Sequence, residues 1–127
     1  MLRGAIKGSA ARLKPLFVYG TLKRGCRAHR LLRGSPLLDR GVVRGYTLLV
    51  RGGVPVAVSS LGECRVRGEV YLVSAPVLAT LDRYEGVPKP YRRIRVSVEL
   101  EGGPSIEAFM YAGEGRVRRC VSDVFYC

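Results

Sequence analysis

Two stretches of the sequence carry residues whose types and neighbours could do chemistry. The first is Leu16–Gly25, an apolar run that breaks at Gly20 and again at Gly25. A buried strand that stops at a glycine leaves the next backbone N–H groups without ladder partners, and the missing Cβ lets a ligand come close to them. Such a loop, lined by Thr21 and Leu22, could hold a carbonyl or a carboxylate. An ordinary strand followed by a turn has the same pattern.

The second is Glu85, which stands at the end of a predicted helix and directly before Gly86. The negative end of the helix dipole and partial burial both disfavour the ionised carboxylate, so both raise its pKa. A carboxylate tuned in this way is a better proton acceptor near neutral pH than a surface glutamate. The alternative is that Glu85 is a solvated residue at a helix end, as most glutamates are.

Four other polar side chains are candidates for the site. Tyr91 and Tyr111 could direct phenol groups into a pocket, or could be half-buried packing. We expect Asp82 to face water or to pair with an arginine. We expect Glu69 to form an exposed cross-strand ion pair, and a position inside the barrel is its alternative. None of these four is assigned a catalytic role from the sequence alone.

The four cysteines, at positions 26, 64, 120 and 127, permit two disulfides. No pair has the Cys-x-x-Cys spacing of a zinc or redox site, and the single histidine, His29, argues against a mixed Cys/His metal site. A Cys120–Cys127 bridge would clip the C-terminal tail. Because no secretory signal is evident, we expect a cytoplasmic protein, in which thiols are usually reduced.

Length and charge limit the number of domains and the classes of partner. The 127 residues suffice for one domain with a hydrophobic core, and we expect a flexible basic tail over residues 1–14 and a single domain over residues 15–127. No apolar run is long enough to cross a membrane. The net charge of +12 favours a rival function, a basic barrel that binds RNA or another polyanion. The arginines are nevertheless spread along the chain, and no aromatic–basic array of a stacking platform is present.

The periodicity predicts an α+β fold, a small mixed β-barrel of about six strands with two short helices. Arg65–Val73 alternates apolar and polar residues, and Ser74 then caps a helix that runs to about Tyr84. Another short helix fits Arg27–Arg33, and Leu37–Arg51 fits one bent strand. A barrel of this kind holds a pocket at its mouth, lined by the loop after the first strand.

The motifs resemble those of the γ-glutamylcyclotransferase-like superfamily, and most of all its γ-glutamylamine cyclotransferase branch. The resemblance begins with FVYGTLKRG at Phe17–Gly25 and includes LDRYEG at Leu81–Gly86. Between and after these motifs come GEVY, YRR and FMY, which start at Gly68, Tyr91 and Phe109. The motifs follow the order found in the family and span about Leu16 to Ala112.

This resemblance implies an enzyme that closes the γ-glutamyl group of its substrate into 5-oxoproline and releases an amine or an amino acid. It implies Glu85 as general acid/base, and neither a metal nor an organic cofactor. The backbone N–H groups of Tyr19, Gly20, Thr21 and Leu22 would bind the substrate, and Tyr91 and Tyr111 would line the pocket. The leaving group and the oligomeric state are left open, and so is nucleic acid as a partner, although it is not favoured.

Overall fold

A computed structural model describes residues 13–87 and 89–127. The strands are β1 (Lys14–Val18), β2 (Leu37–Arg44), β3 (Tyr46–Arg51), β4 (Val54–Ser60), β5 (Arg65–Val73), β6 (Tyr91–Leu100), β7 (Ser105–Gly113) and β8 (Arg116–Val117). A 3-10 helix spans His29–Leu32, and one α-helix, α1, spans Ala75–Glu85. The predicted tail over residues 1–14 lies outside the described residues up to residue 12. Lys14 already pairs with Val73 in the barrel, and the division into tail and domain stays a prediction.

Five strands close into a barrel in the order β1-β5-β2-β6-β7, and β3, β4 and β8 form a second sheet. β1 is antiparallel to β5 and parallel to β7, where Leu16 pairs with Phe109. The predicted α+β class and small mixed barrel are confirmed. The described residues form eight strands instead of six, because Gly45 at φ 86° divides the predicted Leu37–Arg51 strand and the tail adds β8.

β1 is buried on both faces. Phe17 belongs to the core inside the barrel, and Leu16 and Val18 belong to an outer cluster with α1. A strand covered on both sides reads as a continuous apolar run, which is what the sequence shows here. Gly68 of β5 allows the close approach, since a Cβ there would come within 2.7 Å of the Phe17 ring.

The outer cluster also changes the expected pattern of β5. Alternation predicts that Tyr71 lies on the polar face, but Tyr71 is only 2% exposed and Val73 is fully buried. Leu78 and Leu81 of α1 and Leu32 of the 3-10 helix pack over this end of the strand. Because helices cover the outer face there, the period-2 rule for a half-exposed strand fails.

The predicted caps of α1 are confirmed. The Ser74 hydroxyl accepts a hydrogen bond from the Val77 N–H at 3.4 Å, and Gly86 ends the helix in the left-handed conformation at φ 75°. The earlier segment, predicted as a helix over Arg27–Arg33, forms only one 3-10 turn. This turn ends at Leu32, and the residue that caps it is Arg33, which has the left-handed conformation at φ 52°.

The C-terminal tail is held by two disulfides, Cys64–Cys120 and Cys26–Cys127, and runs along the barrel between these two points. The suggested Cys120–Cys127 bridge and the expected reduced thiols are therefore both wrong in this structure. The tail extends along β3 and β5, where the Leu48 and Arg67 N–H groups donate to carbonyl oxygens of tail residues. This path separates its two cysteines and brings each one to a partner far away in the sequence.

Replacing Cys64 and Cys120 together by serine should lower the free energy of unfolding by about 2–4 kcal/mol, since their bridge joins residues 56 positions apart. Urea denaturation of the wild type and the double variant measures the change. Thiol titration of the unreduced wild type should find no free thiol. A variant with an unshifted midpoint would contradict a stabilising bridge.

Candidate active site

A cleft opens where β1 ends, bounded by the start of β4, the last turn of α1 and the start of β6. Its lining includes every site residue predicted from the sequence. The lining residues are Phe17, Val18, Tyr19, Gly20, Thr21, Leu22, Val54, Pro55, Glu85, Tyr91 and Tyr111. The cleft therefore brings together the glycine loop and the acidic residue from two separate motifs.

In the loop after β1, two carbonyl groups point toward later residues of the chain and away from the cleft. The carbonyl oxygens of Gly20 and Thr21 accept hydrogen bonds from the N–H groups of Lys23 and Ala28, both at 3.0 Å. In a trans peptide the C=O of one residue and the N–H of the next point in opposite directions, so the Thr21 and Leu22 N–H groups face the other way. Within residues 13–87 and 89–127, no group accepts a hydrogen bond from the N–H groups of Gly20, Thr21 or Leu22.

Gly20 is required by its neighbour in the cleft wall. A Cβ at this position would lie 2.6 Å from the Pro55 Cγ. Because Gly20 has no side chain, the loop packs directly against Pro55 of the β3–β4 hairpin. The contact forms one end of the cleft.

Two side chains hold the loop in place. The Glu69 Oε1 accepts hydrogen bonds from the Arg24 N–H at 2.9 Å and from the Tyr71 hydroxyl at 2.8 Å. His29 Nδ1 lies 2.9 Å from the Leu22 carbonyl oxygen, which can only accept, so Nδ1 carries the proton. Glu69 makes no ion pair within 4.0 Å among the described residues, and the predicted cross-strand pair is wrong. No pattern in the sequence indicates that Glu69 binds a backbone N–H of the loop.

Glu85 is the last residue of α1 and is mostly buried in the cleft wall. Burial raises the pKa of its carboxyl to about 7. The group is then close to half ionised at neutral pH, so it can both accept and release a proton there. The predicted direction of the shift is confirmed, with loss of hydration as its cause.

Two tyrosines of the cleft differ in how much of their hydroxyl is free. The Tyr19 hydroxyl donates to the Tyr111 carbonyl oxygen at 2.7 Å and accepts from the Ala57 N–H at 3.1 Å, so it is fully engaged. The Tyr91 hydroxyl makes only a long 3.4 Å contact with the Pro55 carbonyl oxygen. Burial chiefly raises the pKa of Tyr91, and the nearby charge of Glu85 raises it further. Of the two, Tyr91 keeps a phenol that can turn to a ligand.

Tyr111 lines the cleft with its ring, while its hydroxyl is engaged elsewhere. It donates to the Asp82 Oδ1 at 2.7 Å, and Arg93 binds both oxygens of the same carboxylate at 2.9 and 3.2 Å. The pairing of Asp82 with an arginine is thus confirmed. The hydroxyl of Tyr111 therefore anchors α1 and is not free to contact a ligand, although the sequence analysis offered it as a group that could point into the pocket.

Two further observations concern metal ions and membranes. Among residues 13–87 and 89–127, no group of three His, Cys, Asp or Glu side chains is arranged to hold a metal ion. Helices in the same part of the chain are all too short or too polar to cross a membrane.

Comparison with known proteins finds a family match over most of the chain. A family model described as gamma-glutamyl cyclotransferase, AIG2-like, matches residues 16–123. The gamma-glutamylaminecyclotransferase of Bos taurus is 41% identical over 115 residues, which covers 81% of this chain and 67% of the bovine protein. The enzyme of the same name from Rattus norvegicus is 33% identical over 114 residues, which covers 76% of each chain.

A solved structure shares the fold. The crystal structure of an AIG2-like protein from Mus musculus superimposes with a TM-score of 0.70 at 29% identity, covering 80% of this chain and 77% of the mouse chain. The family match spans both cleft-forming motifs. The chain therefore belongs to the AIG2-like γ-glutamyl cyclotransferase family and is a γ-glutamylcyclotransferase-like enzyme.

Proposed function

We propose that the cleft closes the γ-glutamyl group of a small substrate into 5-oxoproline, with Glu85 as the general acid/base. The observation that carries the proposal is the shared cleft: a carboxyl with its pKa near 7 lines the same cavity as a loop with unbonded backbone N–H groups. These are the two groups that acyl transfer to an internal amine needs, a proton carrier and donors for an oxyanion.

Ring closure depends mainly on how the two reacting groups of the substrate are placed relative to each other. The attacking nitrogen and the γ-carbonyl carbon belong to one molecule, so the enzyme gains rate by folding the substrate into an attack conformation. A narrow cleft walled by Pro55, Tyr91 and the Tyr111 ring suits this task.

The proton balance assigns two roles to Glu85. The α-amine of the substrate is mostly an ammonium at neutral pH, because a chain α-amino group already titrates at about 8 and the neighbouring α-carboxylate makes this one more basic. The Glu85 carboxylate takes one proton, the freed amine forms the new N–C bond at the γ-carbon, and the carbonyl becomes an oxyanion. The protonated Glu85 then gives that proton to the departing nitrogen as the old C–N bond breaks, and the released amine takes up the second proton, which the ring nitrogen loses as the lactam forms. Substrate atoms are conserved, and no oxidant, reductant or water is consumed.

The loop supplies the oxyanion site in this scheme. The N–H groups from Tyr19 to Leu22 bind the γ-carbonyl oxygen as it gains charge, or the substrate's own α-carboxylate. The hydrogen bonds of the Gly20 and Thr21 carbonyls support this role, because they fix the opposite direction of the next N–H groups. Donors fixed in advance need no reorganisation when charge develops.

The bovine and rat relatives are named for γ-glutamylamines, and a γ-glutamyl amide is the substrate class that we propose here. A cytoplasmic location and a single small-molecule partner are parts of the same proposal. Polyanion binding stays a prediction from the charge of the sequence.

Glu85→Gln should keep the fold and lower the release of 5-oxoproline by about 100-fold or more, because the amide cannot carry the proton. A panel of γ-glutamyl amides assayed for 5-oxoproline measures the loss, and circular dichroism checks the fold. The exposed Glu114→Gln is the matched control and should act as the wild type. Equal turnover by both variants would remove Glu85 from the mechanism.

The pH profile of kcat/KM should rise through an apparent pKa near 7 on its acidic side, since only ionised Glu85 accepts the substrate proton. Initial rates between about pH 4 and pH 9 at low substrate give this profile. The Tyr91→Phe variant should keep the same limb, because the phenol does not titrate in that range. A limb close to the ordinary glutamate value of 4.5 would contradict the proposal.

Stability should also depend on Glu85. Between pH 4.5 and 7 the folded state binds more protons than the unfolded state, so the wild type loses stability as pH rises through this window. Glu85→Gln removes the loss, and we expect it to be more stable than the wild type at pH 8 by at most about 3 kcal/mol, but not at pH 4. Urea denaturation at both pH values tests the difference, with Glu114→Gln as control. A variant that is equally destabilised at both would mean that Glu85 is a structural residue with no desolvation cost.

A further inference from the structure

Arginines recur at every third residue in the segment that follows the glycine loop. These residues form the arginine row: Arg24, Arg27, Arg30 and Arg33. The backbone there advances in steps of three, since several N–H groups donate to the carbonyl oxygen three residues earlier, at 3.0 to 3.2 Å. The donors are Cys26, His29 and Arg33. Residues three apart lie above one another in such turns, as in a 3-10 helix, so the row occupies one side of the segment.

The arginine row is also the exposed side of the segment. All four of its residues are exposed, whereas Leu22, Ala28 and Leu32 of the same stretch are at most 5% exposed. The buried side is fastened to the rest of the molecule, because Cys26 is bonded to Cys127 and His29 Nδ1 lies 2.9 Å from the Leu22 carbonyl oxygen. The backbone that carries the row is thus already ordered, and a ligand does not have to order it.

No acidic side chain forms an ion pair with the arginine row in the described part of the chain. The ion pairs found there all involve other arginines. The first acidic residue of the sequence is Asp39, whose two oxygens already accept backbone N–H groups at 2.8 Å. Within the row, Arg30 Nη1 donates to the Arg27 carbonyl oxygen at 2.9 Å, which leaves the charge uncompensated. Four positive charges held side by side repel one another, and an anion bound along them relieves the repulsion.

We propose that the arginine row binds the phosphate backbone of a single-stranded nucleic acid. A phosphodiester strand carries its charges in a line, as the row does, and a guanidinium can bind two oxygens of one phosphate. A lipid surface presents its charges over a plane, of which a single row meets only a few. No Phe, Tyr or Trp lies between Arg24 and Arg33 to stack on bases, so the row reads phosphates and not base sequence.

This binding is separate from the proposed cyclisation. No member of the arginine row lines the cleft. The row and the cleft lie on either side of the same loop segment, whose buried residues separate them. The two activities can therefore be tested independently.

The dependence of binding on salt measures how many phosphates are contacted. Fluorescence anisotropy with a labelled oligouridylate of about 20 nucleotides gives the Kd at each salt concentration. Four contacts to a single strand predict a slope of about −3 in log affinity against log salt, or steeper where other cations contribute. The affinity of the wild type should then fall at least about 50-fold between about 50 mM and about 200 mM salt. An oligothymidylate of the same length should bind equally well, because the row does not read the 2′-hydroxyl.

Variants locate the contacts. Arg27→Gln combined with Arg30→Gln removes two of the four contacts and should make the slope shallower by about 1.4. Arg27→Lys combined with Arg30→Lys keeps both charges and should keep the wild-type slope. Arg118→Gln combined with Arg119→Gln is the matched control, since it removes the same charge from two exposed positions outside the row and should also keep that slope. Circular dichroism checks that each variant is folded.

Several results would overturn the proposal. One is a wild type that binds neither oligonucleotide at about 50 mM salt. Another is a folded glutamine variant of the row whose slope equals that of the control, because the contacts would then lie elsewhere or follow net charge alone. Sedimentation with vesicles of phosphatidylserine and phosphatidylcholine tests the lipid alternative. Binding to these vesicles that depends on Arg27 and Arg30, without binding to either oligonucleotide, would assign the row to a membrane surface instead.

Discussion

The contact among the Tyr111 hydroxyl, the Asp82 carboxylate and the Arg93 guanidinium fixes where Glu85 lies. Asp82 stands one turn before Glu85 on α1, while Arg93 and Tyr111 pair across β6 and β7 in the barrel wall. The contact therefore fastens the last turn of the helix to the barrel. Arg93 also lies over the Phe109 ring at 4.6 Å, which orients the guanidinium toward the helix. A carboxyl in a poorly hydrated cleft costs free energy, and a helix held this firmly cannot swing out to relieve that cost.

The opposite wall of the cleft depends on β1. With its two faces buried in different clusters, this strand has little freedom to shift, and the loop that follows it starts from a fixed point. Glu69, His29 and the Cys26–Cys127 bridge then hold the loop from the outside. The backbone N–H groups are kept in place by groups that never enter the cleft.

The sequence predicted the parts of the fold that follow from local patterns. The caps at Ser74 and Gly86, the alternation in the β6–β7 hairpin and the buried run of β1 each depend on neighbouring residues alone. The joint placement of Gly20 and Glu85 was predicted through a family resemblance, because no local pattern brings two distant segments together. The eight strands differed from the predicted six because one glycine with positive φ separates two strands that periodicity joins.

Other features depend on tertiary contacts that no spacing rule contains. Glu69 has the position of a strand surface residue and binds the loop only because β1 and β5 are neighbours. The Tyr111 hydroxyl donates a hydrogen bond to Asp82 of α1, and the sequence alone does not show that these two residues meet. The disulfide pairs follow the path of the tail across β3 and β5, which the spacing of the four cysteines does not encode.

That path has a topological consequence. The Cys26–Cys127 bond joins the early part of the chain to its far end and turns residues 26–127 into a covalent ring, with Cys64–Cys120 as a chord across it. A single peptide-bond cleavage anywhere inside the ring opens it without releasing a fragment. A nick in an exposed turn, such as Gly102–Gly103, would yield a two-chain molecule of unchanged mass apart from one added water, and the barrel strands on either side would stay tethered.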